Sequence, residues 1–577
     1  MSSSDSSTVC SREIIEVIPK ADSKGPSHTG YPVQVATSLE RPETPESAVS
    51  VAPFNPGWRF YLAFASLSII SLMAALDATS LSVALPIMAK ALKGTAIQAF
   101  WSGTSFLLTS TVFLPVLGSF SHVFGRKPII LASLALFLAG AIIAAVANNF
   151  TVLLVGRSVQ GIGGGGIICM SEMVVTDLVP LRERGKWFSF ISSMWAIGTV
   201  VGPLLGGGFA QSVSWRWIFW INLPFIGIGA PMVVFFLNLH YKNSSLLAKL
   251  KRIDWIGTVV FLGATTGFLI PLSWGGVMYD WSSWRTLGPL IICGAALVGF
   301  VFYEEYVASE PLIRLSVFKS RTAAVTYLGT FCHGVLLWCI LYYLPLYFEA
   351  VKGLTPITAG VALFSQTFVV PVMSIVTGAA ISITGHWRWA VWTGWFLTTL
   401  GCGILIKLEE DTSTVGWVFM NIISGLGTGM LFPSMAMATQ AAASNEDQAH
   451  AVAMFTFIRA FGQTVGVAVG GVIFQNQMKK ELLTYPLLAD MAEEYSRDAS
   501  GLVEIIKHMP DGLEQKLDLR IAYTDALERV WYVLCVISFI AFVASFWIRP
   551  LALDRALETE QGFIHEQKET DAERNKA

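Results

Sequence analysis

The chain has 577 residues, 54% hydrophobic and only 14% charged, where an average soluble chain carries about 25% charged residues. A soluble core cannot hide this much apolar surface, so the bilayer is the expected solvent, and 19 Trp and 37 Phe suit interfacial belts and lipid-facing surfaces. A net charge of −2 argues against a nucleic-acid partner, and seven cysteines, all but Cys10 in apolar spans, read as small buried hydrophobes rather than a disulfide framework.

Residues 1–56 are rich in Ser, Pro, Thr and Glu without a sustained apolar period, the composition of a disordered tail. They lack the apolar stretch of a cleavable signal peptide, so the first span is expected to act as an internal signal-anchor. About fourteen spans follow, each roughly 20 residues as a bilayer helix requires, from one centred near Ser68 to one near Ile537. The expected class is an all-α polytopic membrane protein. Spans 1–6 fill 57–240 and form one six-helix bundle. Spans 7 and 8, with their flanking loops, occupy 241–320 as an insertion. Spans 9–14 fill 321–550 and form a second six-helix bundle. That bundle includes a long external loop at about 476–528, where Leu502, Ile505 and Ile506 suggest short amphipathic helices. A charged tail covers 551–577.

An even number of spans puts both tails on one side, and the basic residues choose it. Loops after even-numbered spans carry Arg126 and Lys127, then Arg182, Arg184 and Lys186, with further clusters around Lys249 to Arg252 and Arg314 to Arg321. The short loops opposite carry fewer, so the positive-inside rule places both termini in the cytoplasm.

The two bundles repeat. Gly198, Gly202, Gly206 and Gly207 return 264 positions later as Gly462, Gly466, Gly470 and Gly471, with Val467 where Pro203 would recur. Gly118 and Gly125 at the end of span 2 are echoed by Gly378 and Gly385. Arg157, Gly161, Gly163 and Gly165 of span 4 are echoed by Asn421, Gly425, Gly427 and Gly429 of span 12. Glycines at i, i+4 and i+8 make a groove for a neighbouring helix. In span 13 that is simple tight packing; in span 5, Pro203 adds a kink expected to seal or pivot the bundle. A repeated membrane chain with one half specialised points to a transporter built around a central site.

The halves differ most in charge. Asp77 and Arg157 sit inside apolar spans, where ionised groups are costly and usually functional, and their counterparts are the uncharged Leu336 and Asn421. At about 1.5 Å per residue, Asp77 lies roughly 12 Å and Arg157 roughly 9 Å from the outer ends of spans 1 and 4, so the two can pair. Two readings follow: an Asp that pairs in one state and carries a proton in another, or a permanent structural ion pair. Gln160 and Arg459 are candidates for substrate contact or helix packing, and His333 reads as a satisfied polar group. Glu172 and Asp177 are expected to pair with Arg182 or Arg184. The glycines of Gly161 to Gly166 lie within a membrane helix with no strand before them, which excludes a dinucleotide fingerprint. No ATP-binding P-loop, zinc-protease or nucleophile-elbow motif occurs, so an enzyme, a cofactor and a metal site all lack support. Asn149 opens a glycosylation sequon in an external loop, too near the bilayer for efficient modification.

With these residues in view, about 58–550 resembles the major facilitator superfamily, and within it the fourteen-spanner drug:proton antiporters, above all the fungal toxin and multidrug efflux pumps. Asp77 with the following Ala84, Leu85 and Pro86 looks like the family's span 1 signature. Arg157 to Gly161 resembles its span 4 motif, whose Arg is implicated in proton movement. Gly198, Gly202, Pro203, Gly206 and Gly207 resemble the antiporter motif that tracks with export. Asp177 to Gly185 and Trp215 to Pro224 are similarly characteristic, and Trp274, Gly275, Gly276 and Trp281 suggest the fungal efflux group. One departure stands out. The loop motif G-x-x-x-D-R-x-G-R-K here reads Gly118, His122, Val123, Gly125, Arg126, Lys127, with His122 in place of the acid that helps latch the inner face. A His supplies no fixed negative charge but switches near neutral pH, so a weaker or pH-sensitive inner gate is expected.

The resemblance implies a proton-coupled exporter of amphipathic small molecules such as secondary metabolites, toxins or antifungal drugs. It would act as a monomer by alternating access, in the plasma membrane or else in a vacuolar or vesicle membrane. A cavity with many aromatics and few charges favours uncharged or cationic cargo. Two alternatives stand beside it: an importer or vacuolar carrier of basic amino acids or siderophores, which needs further acids in the cavity, and a non-transporting sensor signalling through its tails.

Overall fold

The computed structural model describes residues 56–94, 96–240, 245–276, 278–497, 499–510 and 512–555. Residues 1–55 and 556–577 of the two expected tails, with Cys10 and a second sequon at Asn243, fall outside them. The described residues are helical, with one isolated bridge between Gly275 and Tyr279. Fourteen long helices run in chain order. The first bundle contains α1 (Trp58–Ala91), α2 (Ala96–Phe124), α3 (Arg126–Ala145), α4 (Phe150–Leu178), α5 (Leu181–Ser212) and α6 (Trp217–Phe236). The insertion contributes α7 (Trp255–Trp274) and α8 (Trp284–Tyr306). The second bundle begins with α9 (Arg321–Leu346), then α10 in three pieces (Pro356–Ala362, Phe364–Thr367, Val369–Thr384) and α11 (Arg388–Leu405). It continues with α12 (Thr414–Ala442), α13 (Gln448–Leu482) and α14 (Glu514–Ser545).

Thirteen of these are long and apolar enough to cross a membrane, and α11 is the exception. Its 18 residues are diluted by Trp, Thr and Gly. It is nonetheless clamped between neighbours: Gly401 seats against Ser424 and Gly427 receives Thr398 on the α12 side, while Trp392 and Phe396 meet Phe546 and Phe542 at and beyond the end of α14. Packing replaces hydropathy as its signature.

Proline chemistry shapes the second bundle. Pro345 has no N–H for the carbonyl four residues back, and α9 ends in a wider π turn, Tyr347–Val351. Pro371 likewise offers nothing to Thr367, and α10 breaks at Phe368. Pro203 does not interrupt α5, which is one helix from Leu181 to Ser212.

Two expected boundaries move. α1 continues past Leu85 to Ala91, which leaves Asp77 about 21 Å from its end rather than 12 Å. The pairing with Arg157 survives because α1 overshoots the start of α4. The long loop expected at 476–528 is also shorter, because α13 extends to Leu482 and α14 begins at Glu514. The segment between holds short helices, of which Ala499–His508 buries Leu502, Val503 and Ile506 while Ile505 stays exposed. Lys507 Nζ ties it to Glu349 Oε2 at 2.7 Å, on the turn that closes α9.

The repeated glycines place the helices. In the first bundle Gly198, Gly202 and Gly206 bring α5 onto Ala75, Thr79 and Ser80 of α1 so closely that a Cβ at any of them would collide. In the second, Gly462, Gly466 and Gly470 bring α13 onto Phe331, Val335 and Cys339 of α9. Gly161 and Gly163 wedge α4 between α2 and α3, and Gly425 and Gly427 wedge α12 between α10 and α11. The bundles meet where this frame repeats: Gly118 of α2 faces Ala453 of α13, and Gly378 of α10 faces Gly185 of α5. α7 covers the α2–α13 seam through Phe120 against Trp255, Phe457 against Phe261 and Phe461 against Phe268.

Candidate functional site

Asp77 is completely buried at the centre of a network drawn from three helices of the first bundle. Arg157 Nη1 donates to its Oδ2 at 2.5 Å, while Gln160 Nε2 and Asn222 Nδ2 donate to Oδ1 at 2.7 and 2.8 Å. Arg157 is anchored in turn: its Nη1 also donates to Gln160 Oε1 at 2.8 Å, its Nε to the Ser102 carbonyl at 3.1 Å, and its guanidinium lies 4.4 Å over the Phe106 ring. A carboxylate with three donors and a guanidinium with polar and aromatic partners is how an ion pair survives away from water. Asn222 is the member that charge alone could not single out; its signal was its place in the Trp215 to Pro224 motif.

The second bundle offers a cooler version. Leu336 stands for Asp77, and Asn421 for Arg157, donating among the described residues to Ser365 Oγ at 3.0 Å. His333 Nε2 lies 3.1 Å from the Thr428 carbonyl, which fits a satisfied polar group, although Nδ1 has no partner among the described residues.

The end bearing the Arg126 and Arg182 loops is laced across the bundles. Arg184 Nη1 reaches Gln440 and Gln448 at 2.9 and 2.6 Å. Arg182 donates to the Ser382 and Ile383 carbonyls at 3.0 Å each, closing the C-terminus of α10 beside the left-handed Gly385, and pairs with Asp554 at 2.9 Å. Ser189 Oγ donates to the Ser374 carbonyl at 2.8 Å.

The motif at the end of α2 departs from the expected pattern in its contacts as well as its sequence. Gly125 adopts φ 93°, turning the chain from α2 into α3. Arg126 pairs with Asp177 at 2.8 Å and bonds Ser121, and Lys127 Nζ donates to the Val234 carbonyl and Asn238 Oδ1. His122, standing where the acid is usual, stacks flat on His450 of α13, ring centres 3.8 Å apart and 6° from parallel. Arg314 lies in the same pocket.

The expected partner of Glu172 is corrected, while Asp177 keeps Arg184 within electrostatic reach and bonds Arg126 directly. Glu172 crosses to the second bundle, where it accepts from Thr456 Oγ1 and pairs with Arg459 at 3.3 Å. The reason is direction. Arg182 and Arg184 sit past the end of α4 and point to α10, α12 and α13, whereas Glu172 lies over a turn deeper and faces α13. Arg459 is thus more than a packing residue of α13. The six cysteines of the described residues are unbridged. Asn149 caps α4 through Oδ1, accepting from Val152 N at 2.9 Å.

The Major Facilitator Superfamily model matches residues 67–467. The chain belongs to that superfamily. It is 62% identical over 533 residues to an MFS transporter, L2, of a Phoma species, covering 92% of this chain and 89% of the relative. It is 35% identical to the efflux pump FUS6 of Gibberella fujikuroi, covering 92% and 97%. The proton:xylose symporter XylE superposes with a TM-score of 0.55 at 11% identity, covering 87% of this chain and 98% of that one, a likeness of fold. The protein is therefore a multi-pass membrane transporter of the superfamily, with fungal efflux pumps among its relatives.

Proposed function

We propose that the protein is a proton-coupled efflux transporter that exports amphipathic, largely apolar small molecules of the secondary-metabolite class by alternating access. The observation that carries this reading is the buried Asp77 with Arg157, Gln160 and Asn222 in one bundle and its uncharged echo in the other. In this arrangement both oxygens of the Asp77 side chain are matched by donors. If the bundle rearranges and Arg157 withdraws, the buried charge becomes too costly and a proton is taken up. Gln160 and Asn222 then hold the same oxygen through the change. The family and the efflux pumps among its relatives support the direction of transport. The end bearing the Arg126 and Arg182 loops would face the cytoplasm and is the end that must part to admit cargo. The alternative of a carrier for basic amino acids needs a free acid near the bundle interface, and Glu172 is already matched by Arg459.

The test is transport by purified protein in liposomes with an imposed pH gradient, using a panel of apolar fluorescent cations, neutral toxins and organic acids. Gradient-driven flux that disappears in Asp77→Asn is expected. Gradient-driven flux that persists in Asp77→Asn removes Asp77 from coupling, and uptake unaffected by collapsing the gradient overturns proton antiport altogether.

A further inference from the structure

Among the described residues, Glu172 and Arg459 form a largely buried carboxylate–guanidinium contact that joins the two bundles. Glu172 projects from α4 and Arg459 from α13, 3.3 Å apart. Thr456, one turn before Arg459, donates its hydroxyl to the same carboxylate. The Arg459 guanidinium lies 4.3 Å over the Phe432 ring and 5.4 Å from that of Phe455. Its side chain keeps 16% exposure against 5% for Glu172, so Arg459 is the more accessible of the two partners. The other titratable groups facing the pair are Cys169 on α4 and His333 on α9; Glu172 is the carboxylate on Arg459 among the described residues.

Alternating access, the motion on which this inference rests, requires α4 and α13 to separate at this level. The two partners are not equal in what they can do next. A buried carboxylate that loses its cation neutralises itself by taking a proton. An arginine cannot shed its proton in a protein, so a buried guanidinium needs a new anion. With the Phe432 and Phe455 rings beside it, the guanidinium suits a planar anion carrying a hydrophobic body.

We propose that Arg459 recognises an anionic group, a carboxylate, on the transported molecule, which displaces Glu172 from the guanidinium while Glu172 takes up one proton from solution. Charge balances: cargo anion replaces Glu172 anion on the same cation, and the proton neutralises the released carboxylate. This narrows the cargo to amphipathic weak acids, against the uncharged or cationic cargo expected from composition. It also makes the second bundle, which lacks the Asp77 network, the holder of the cargo's charge.

The experiment is binding of pyrenebutanoate and dodecanoate, each against its methyl ester, to the purified full chain by calorimetry in two buffers of different ionisation enthalpy. Wild type is expected to bind the acids at least about tenfold tighter than the esters and to take up a proton on doing so. Arg459→Gln should erase the preference for acids, and Arg459→Lys should retain part of it. Glu172→Gln, which keeps a partner for Thr456, should bind the acids more tightly and without proton uptake, a change a purely structural clasp would not produce. If Arg459→Gln fails to fold, the Lys and Glu172→Gln variants carry the test. Equal binding of acid and ester, no binding of the acids, a preference that survives Arg459→Gln, or binding without proton uptake each overturns the proposal. Gradient-driven, Asp77-dependent export of the esters with no preference for acids would overturn this inference and leave the exporter reading standing. Acid binding at Arg459 with no gradient-driven flux of any probe would do the reverse.

Discussion

The first and second bundles share a glycine frame and diverge in what they place inside it. α5 grips α1 through Gly198, Gly202 and Gly206, and α13 grips α9 through Gly462, Gly466 and Gly470. Within those matched frames one bundle holds Asp77 bonded at both oxygens by Arg157, Gln160 and Asn222, and the other holds Leu336 and a half-bonded Asn421. Close helix contact constrains backbone shape and can therefore repeat, whereas a buried charge requires partners from several helices and is built only where it is used. The second bundle's own ionised group, Arg459, is completed by the first bundle's Glu172, so the division of labour is joined at the interface.

The sharpest way to break this comparison is to remove one charge. Asp77→Ala, which strands Arg157, should cost about 3–5 kcal/mol in unfolding experiments in detergent, while Asn421→Ala should cost only about 1 kcal/mol. Equal losses would mean that the two sites are structurally equivalent after all.

The glycine frames themselves can be ranked. A Cβ at Gly206 meets the Ser80 backbone, which cannot yield, whereas one at Gly471 meets only the Tyr343 hydroxyl at 3.0 Å, the end of a side chain. Gly206→Ala is expected to lose roughly 1–3 kcal/mol and Gly471→Ala to be near neutral by the same measurement. The reverse order would show that the α1–α5 contact relaxes more readily than its close packing implies.

The gate gives a smaller effect. His122→Asp sets a carboxylate beside Arg126 and Arg314 in place of the ring stacked on His450. It should hold the laced end shut by about 1 kcal/mol more and slow labelling of a cysteine introduced at Ser119. Unchanged labelling would sink the idea that this position sets the gate.

The smallest effect lies at the loop joining α12 to α13. Burial alone would raise the Asp447 carboxyl, but hydrogen bonds from Ser316, Arg314 and Ser444 outweigh it and hold the group below its ordinary value. A carboxyl lowered in the folded state contributes stability above its unfolded value and loses it as pH falls through the folded one. Asp447→Asn should therefore cost about 0.5 kcal/mol at neutral pH, with the gap to wild type closing in acid. A gap that stays constant with pH would show that the Arg314 contact is not electrostatic.

Much of this architecture could be read before any coordinates. Apolar runs of bilayer length, the 264-residue echo of the glycines and the asymmetric charges at Asp77 and Arg157 are local or periodic, and each carries its physical cause within the chain. The α11 helix was also legible as a span, although its Trp and Thr keep it below the hydropathy of its neighbours. What the tertiary structure alone decided is which groups meet across helices far apart in sequence. Asn222 completes the Asp77 network, His122 lies on His450, and Glu172 turns from the nearby arginines to Arg459. Spacing along one helix dictates the face a side chain occupies, but the identity of the opposing face follows from how two bundles pack, and a buried charge takes the partner that packing brings within reach.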